Sequence, residues 1–117
     1  MKVKLSDVLN SVEVMRNLAQ ENVSAVVSFR IAKAIKAINE EIDMFEAEKA
    51  KLVQKYGEPH DGGVRVADDK QDDFQKEINR LLSEKVELAA TPIKLKDLEH
   101  VQLKPIDMMT VDFLIEE

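Results

Sequence analysis

Few residues in this sequence could do chemistry. The chain has two histidines, His60 and His100, and no cysteine. Thiol catalysis, disulfide frameworks and thiolate zinc sites are therefore excluded together. His60-Asp61 lies in a glycine-containing stretch close to Asp68 and Asp69. Imidazole with carboxylates suits zinc or manganese, but this spacing matches no ligand pattern. Asp61-Gly62-Gly63 reads first as turn chemistry. The run Asp68-Asp69-Lys70-Gln71-Asp72-Asp73 is acidic enough to suggest calcium. It lacks the alternating oxygen ligands, central glycine and closing glutamate of a helix-loop-helix calcium site. No metal and no cofactor is expected.

A nucleophile needs a base beside it. The hydroxyls are Ser6, Ser11, Ser24, Ser28, Ser83, Thr91, Thr110 and Tyr56, and none sits in a strained glycine elbow. Gly62-Gly63 lacks the Lys-Ser or Lys-Thr that follows a phosphate-cradling loop. Twenty-three acids offer many carboxylate pairs, yet acids on helix faces ordinarily serve solubility. The sequence points away from an enzyme. One basic stripe remains: Arg30, Lys33 and Lys36, with Arg16 from the preceding segment, form a candidate phosphate-binding patch. Pairing of these bases with Glu40 or Glu41 along the helix is the competing reading.

These residues ride on a mainly helical frame. Lys2-Val3-Lys4-Leu5 alternates and predicts a short strand. Ser6 is the expected N-cap of a helix over 7–20, with Asp7 in its first turn. The strongest signal spans 23–56, a stretch without Pro or Gly. Ile31, Ile38, Phe45 and Leu52 recur every seven residues, and Ile35, Ile42 and Tyr56 fall in the same frame. This is a heptad seam interrupted by Lys49. A helix of that span is about 50 Å long, too long for one small body to cover. Part of the seam is expected to meet another helix, from this chain or from a second copy.

Gly57 is the expected end of the long helix. Residues 57–63 read as a turn, and Val64-Arg65-Val66 as a brief strand. Asp68 or Asp69 should cap a helix running to about 85, whose stripe holds Phe74, Ile78, Leu81 and Leu82. That helix should pack antiparallel on the distal part of the long one. Val86-Glu87-Leu88, Ile93-Lys94-Leu95 and Val101-Gln102-Leu103 alternate like strands. Pro105 suits the first position of a last short helix with Ile106, Met109, Phe113 and Leu114 facing inward. The fold class is α+β: a coiled-coil-like long helical hairpin joined to a small sheet from the N-terminal and C-terminal strands, in a single domain over 1–117.

Composition supports this frame. With four Phe, one Tyr and no Trp, the core must be aliphatic. No apolar run approaches the roughly 20 residues of a membrane span, and no charged-then-apolar leader is visible. The net charge of −6 disfavours general nucleic-acid binding. It is unevenly spread. Residues 1–36 hold six bases against three acids, a surplus of +3; residues 37–117 hold eleven bases against twenty acids, or −9. Two complementary ends favour self-association.

Several stretches in order resemble a known family. They are Lys4-Leu5-Ser6 before a helix, Lys55-Tyr56-Gly57-Glu58 and Asp61-Gly62-Gly63. Later come Ile93 to Glu99, Leu103-Lys104-Pro105 and Asp112 to Glu117. Together they are similar to short phage and prophage proteins of unknown function from Gram-positive hosts. The resemblance supplies no catalytic residues. It implies a product acting in the cytoplasm of an infected bacterium. Two functions follow as expectations. One is a non-enzymatic interaction protein, accessory or assembly in role, that forms a homo-oligomer through Ile31, Ile35, Ile38, Ile42, Phe45 and Leu52 and meets a phage or host protein. The alternative is a counter-defence protein that sequesters a small nucleotide immune signal on the basic N-terminal patch.

Overall fold

The computed structural model describes all of residues 1–117. Strand β1 (Lys2–Lys4) leads directly into helix α1 (Leu5–Leu18), and a short linker leads to α2 (Ala25–Tyr56). A hairpin of β2 (Gly57–His60) and β3 (Gly63–Val66) follows, then a 3-10 turn at Asp68–Lys70 and α3 (Gln71–Ser83). The C-terminal third holds β4 (Lys85–Glu87), β5 (Ile93–Lys94), α4 (Pro105–Val111) and β6 (Ile115–Glu116). This is the expected α+β class: a long helical hairpin with small sheets built from N- and C-terminal strands. The strands form three separate pairs rather than one sheet. β1 pairs antiparallel with β4, β2 with β3, and β5 runs parallel to β6. Val101–Leu103 joins none of them.

The helix ends differ from expectation in instructive ways. Ser6 is not the cap of α1. The helix begins at Leu5, and the Leu5 N–H is satisfied by the Glu84 carbonyl at 2.8 Å, extending the β1–β4 pairing into the helix start. Tertiary pairing has replaced a side-chain cap. The cap of α2 is Ser24, whose hydroxyl accepts from the Val27 N–H at 3.4 Å. Neither Asp68 nor Asp69 caps α3; both lie in the preceding 3-10 turn, and Asp72 and Asp73 occupy the first turn of α3.

Gly57 ends α2 without the left-handed conformation of a glycine C-cap. Its φ of −88° is extended, and it opens β2. What requires glycine is closeness: a Cβ there would overlap the Val53 carbonyl oxygen and the Val64 side chain. Left-handed geometry appears four residues later, at Asp61 (φ 46°) and Gly62 (φ 79°). These two residues link paired His60 and Gly63, the two-residue loop whose twist suits a hairpin. A Cβ at Gly62 meets no neighbour, so Gly62→Ala isolates the backbone term. We expect it to destabilise the hairpin by about 1–2 kcal/mol, read as faster amide exchange in β2 and β3 with little change elsewhere.

The molecule is elongated, 51 × 26 × 24 Å, because α2 outruns its cover. Its first half is enclosed. Val27, Ile31, Ala34, Ala37 and Ile38 are buried in one cluster with Val8, Met15 and Leu18 of α1. Leu88, Ile93, Leu98, Val111 and Leu114 close the same cluster from the C-terminal third. Its second half has no fully buried residue. There α3 lies antiparallel: Lys55 meets Glu77, while Glu48 and Leu52 share a groove with Leu81 and Glu84. Ile106 and Met109 do not face inward; they are 63% and 69% exposed, and Val111 and Leu114 take the buried positions. No helix is long and apolar enough to cross a membrane.

Candidate functional site

The four basic residues lie on two helices, Arg16 on α1 and the other three on α2. Arg16 is exposed on α1, 4.0 Å from Glu13 one turn earlier. Arg30, Lys33 and Lys36 are all on the outer half of α2, Arg30 half-buried and the two lysines exposed. Each step of three residues turns the helix by about 300°, so the three charges spread over about 120° of the outer surface, with each base next to the one three residues on. None of the four lines any of the three principal concavities.

His60 and Asp61 do meet. His60 Nε2 is 3.2 Å from Asp61 Oδ2, at the exposed hairpin tip. No three His, Asp or Glu side chains gather in a way that could hold a metal ion.

The seam residues divide into two sets. Ile31 and Ile38 are buried within the chain, whereas Ile35, Ile42, Phe45 and Leu52 are half-buried. Ile31 and Ile35 border a concavity of about 300 Å³ at the α1–α2 corner, with Leu18, Val23, Ser28 and Ala32. It is largely apolar. Periodicity marks the seam that borders it, but not the hollow, because the hollow depends on how the linker 19–24 turns α1 back onto α2. A second concavity of about 260 Å³ lies between α2 and α3, lined by Glu48, Leu52, Glu77, Arg80, Leu81 and Glu84.

Comparisons of this chain with protein-family models, with curated proteins and with solved structures returned no match.

The groups with displaced proton affinities lie beside that second concavity. Lys55 Nζ is 3.4 Å from Glu77 Oε1 and 5.1 Å from the centre of the Tyr56 ring. The Tyr56 hydroxyl holds the Glu77 carboxyl below the usual carboxylate range, and Lys55 acts in the same direction. Glu77 in turn raises the Tyr56 phenol, and Tyr56 and Glu77 raise the Lys55 ammonium. Every shift reinforces the ordinary charge state at neutral pH. The trio is a surface clasp joining the end of α2 to α3. A phenol and an ammonium pushed upward stay protonated at neutral pH, so neither is free to act as a general base. Sequence periodicity gave no sign of this clasp, since Lys55 and Glu77 are brought together only by the β2–β3 hairpin.

The one buried polar residue, Ser11, donates to the Val8 carbonyl at 2.7 Å within α1.

Proposed function

We infer that this protein is a non-enzymatic interaction protein that works as a homo-oligomer, in the accessory or assembly role implied by its resemblance to short phage proteins. The observation carrying this reading is the uneven cover of α2. Its first half is sealed by α1 and the C-terminal third, with Ile42 at the rim of that cluster, while the half beyond projects with Phe45 and Leu52 only half-buried and no residue fully enclosed. A rod with a partly open aliphatic side is an element that gains by burying more apolar surface. Helical association is the usual way to do so. The unequal charge of the N-terminal third and the remainder adds an attraction between copies.

The test is the mass in solution by light scattering over a wide concentration range, at low and high salt. A multiple of 13.3 kDa is expected. A mass that stays at 13.3 kDa at every concentration would remove the homo-oligomer from this reading.

A further inference from the structure

The side of α2 that faces away from the core carries a pattern that the buried side does not need. At its N-terminal end, Val26 and Phe29 are 61% and 68% exposed, with exposed Ala32 beside them. At its C-terminal end, Met44 is 65% exposed, followed by exposed Ala47 and Ala50. Between the two apolar ends stand exposed Lys33, Lys36, Glu40 and Asp43. At about 100° per residue these positions fall on one outward strip of the helix. Apart from Ala32, which borders the hollow at the α1–α2 corner, its residues are open to solvent.

The strip is complementary to itself when reversed. Let two copies of α2 lie antiparallel about a two-fold axis at Ile38. Lys36 of each copy then faces Glu40 of the other, and Lys33 faces Asp43. The apolar ends meet as well: Phe29, on the midline of the strip, lies over Ala47 of the other copy, and Val26 of one copy and Met44 of the other share one flank of the contact. Large-on-small pairing lets two helices approach closely. A parallel, in-register pairing would instead set Lys33, Lys36, Glu40 and Asp43 each against its own like charge, which is repulsive.

We propose that the outward face of α2 is a self-recognition surface whose occupant is a second copy of this chain, bound antiparallel about Ile38. The proposal rests on the homo-oligomeric reading above and names the face that serves it. The α2–α2 contact is isologous, as a closed dimer requires. It also turns the charge asymmetry into register: each basic N-terminal third meets the acidic distal half of the other copy. The core faces of both copies remain sealed, so no unfolding is needed to form the pair.

Charge exchange tests this directly. Lys33→Glu with Lys36→Glu should weaken the dimer by about tenfold or more, because four attractive pairs become repulsive. Adding Glu40→Lys and Asp43→Lys to the same chain should restore it, since every pair is again opposite in sign. Helical content by circular dichroism should stay constant through the series. The chain has no cysteine, so Gln54→Cys accepts a single spin label. Antiparallel pairing about Ile38 sets the two labels about 48 Å apart along the helix axes, whereas parallel pairing sets them about 10 Å apart. A long label distance together with rescue by the fourfold charge exchange is the expected result. An oligomer indifferent to the charge reversal, or a short label distance, would overturn this face and leave the homo-oligomer standing. A monomer at all concentrations would overturn both.

Discussion

Ile38→Ala is expected to lower the free energy of unfolding by about 2–5 kcal/mol. Leu52→Ala, in the same heptad frame, is expected to cost about half of that or less. Ile38 is wholly enclosed, with α1 and the C-terminal third packed into one cluster around it. Truncation there leaves a cavity that no single element can collapse to fill. Leu52 faces only α3 and already meets solvent, so less transfer free energy is lost and water can enter the space. Small domains hold only about 5–15 kcal/mol in total, so the Ile38 variant would lose a large share. Urea unfolding at one fixed protein concentration measures both, with the midpoint shift read at constant slope. Equal losses at the two sites would show that the distal seam is as well covered as the proximal one, and would remove the observation on which the functional reading stands.

The seam was legible in the sequence because it depends on the helix alone. An aliphatic residue every three or four positions, with no Pro or Gly from 23 to 56, leaves a helix as the one conformation that puts those side chains on a common face. What sits on that face is a tertiary fact. Ile31 and Ile38 cannot be told from Ile42 and Phe45 by spacing. The difference comes from α1, from Leu88 to Leu98 and from Leu114, whose cluster encloses Ile31 and Ile38 and reaches along α2 only as far as the rim at Ile42. The same limit explains the helix starts. Ser6 has the chemistry of a cap, but the Glu84 carbonyl, 79 residues away in sequence and adjacent in space, takes the Leu5 N–H first.

The outward strip escaped the periodic reading for a related reason. Periodicity searches find the most apolar face of a helix, and the opposite face of α2 has a charged centre with apolar ends. Averaged along the helix, that pattern looks like a solvated surface. Its content emerges only when burial shows which side is free and the strip is compared with its own reverse. The basic stripe lies on the same side of the helix. Repeated steps of three drift backward by about 60° each, so Arg30, Lys33 and Lys36 cover about 120° of its outer half.

Leu114→Ala is expected to destabilise the fold by about 2–5 kcal/mol, and Met109→Ala to change it by no more than about 0.5 kcal/mol. The two residues lie five positions apart at the end of the chain, and the alternation of apolar residues there offers no reason to rank them. The ranking comes from the turn after α4. A 3-10 segment at Asp112–Leu114 tightens the chain just before β6, and the parallel pairing of Ile115 with Ile93 then fixes its direction. Leu114 is thereby driven into the cluster shared by α1 and α2, with no exposed surface. Met109 is on the far side of α4 beside Ile106, where it loses little by truncation. Chemical unfolding of the two variants at matched concentration decides the point. If Met109→Ala proved as damaging as Leu114→Ala, the exposed side of α4 would have to be covered in solution. Dilution would then separate the cases, since cover supplied by a second copy weakens on dilution and cover supplied by the same chain does not.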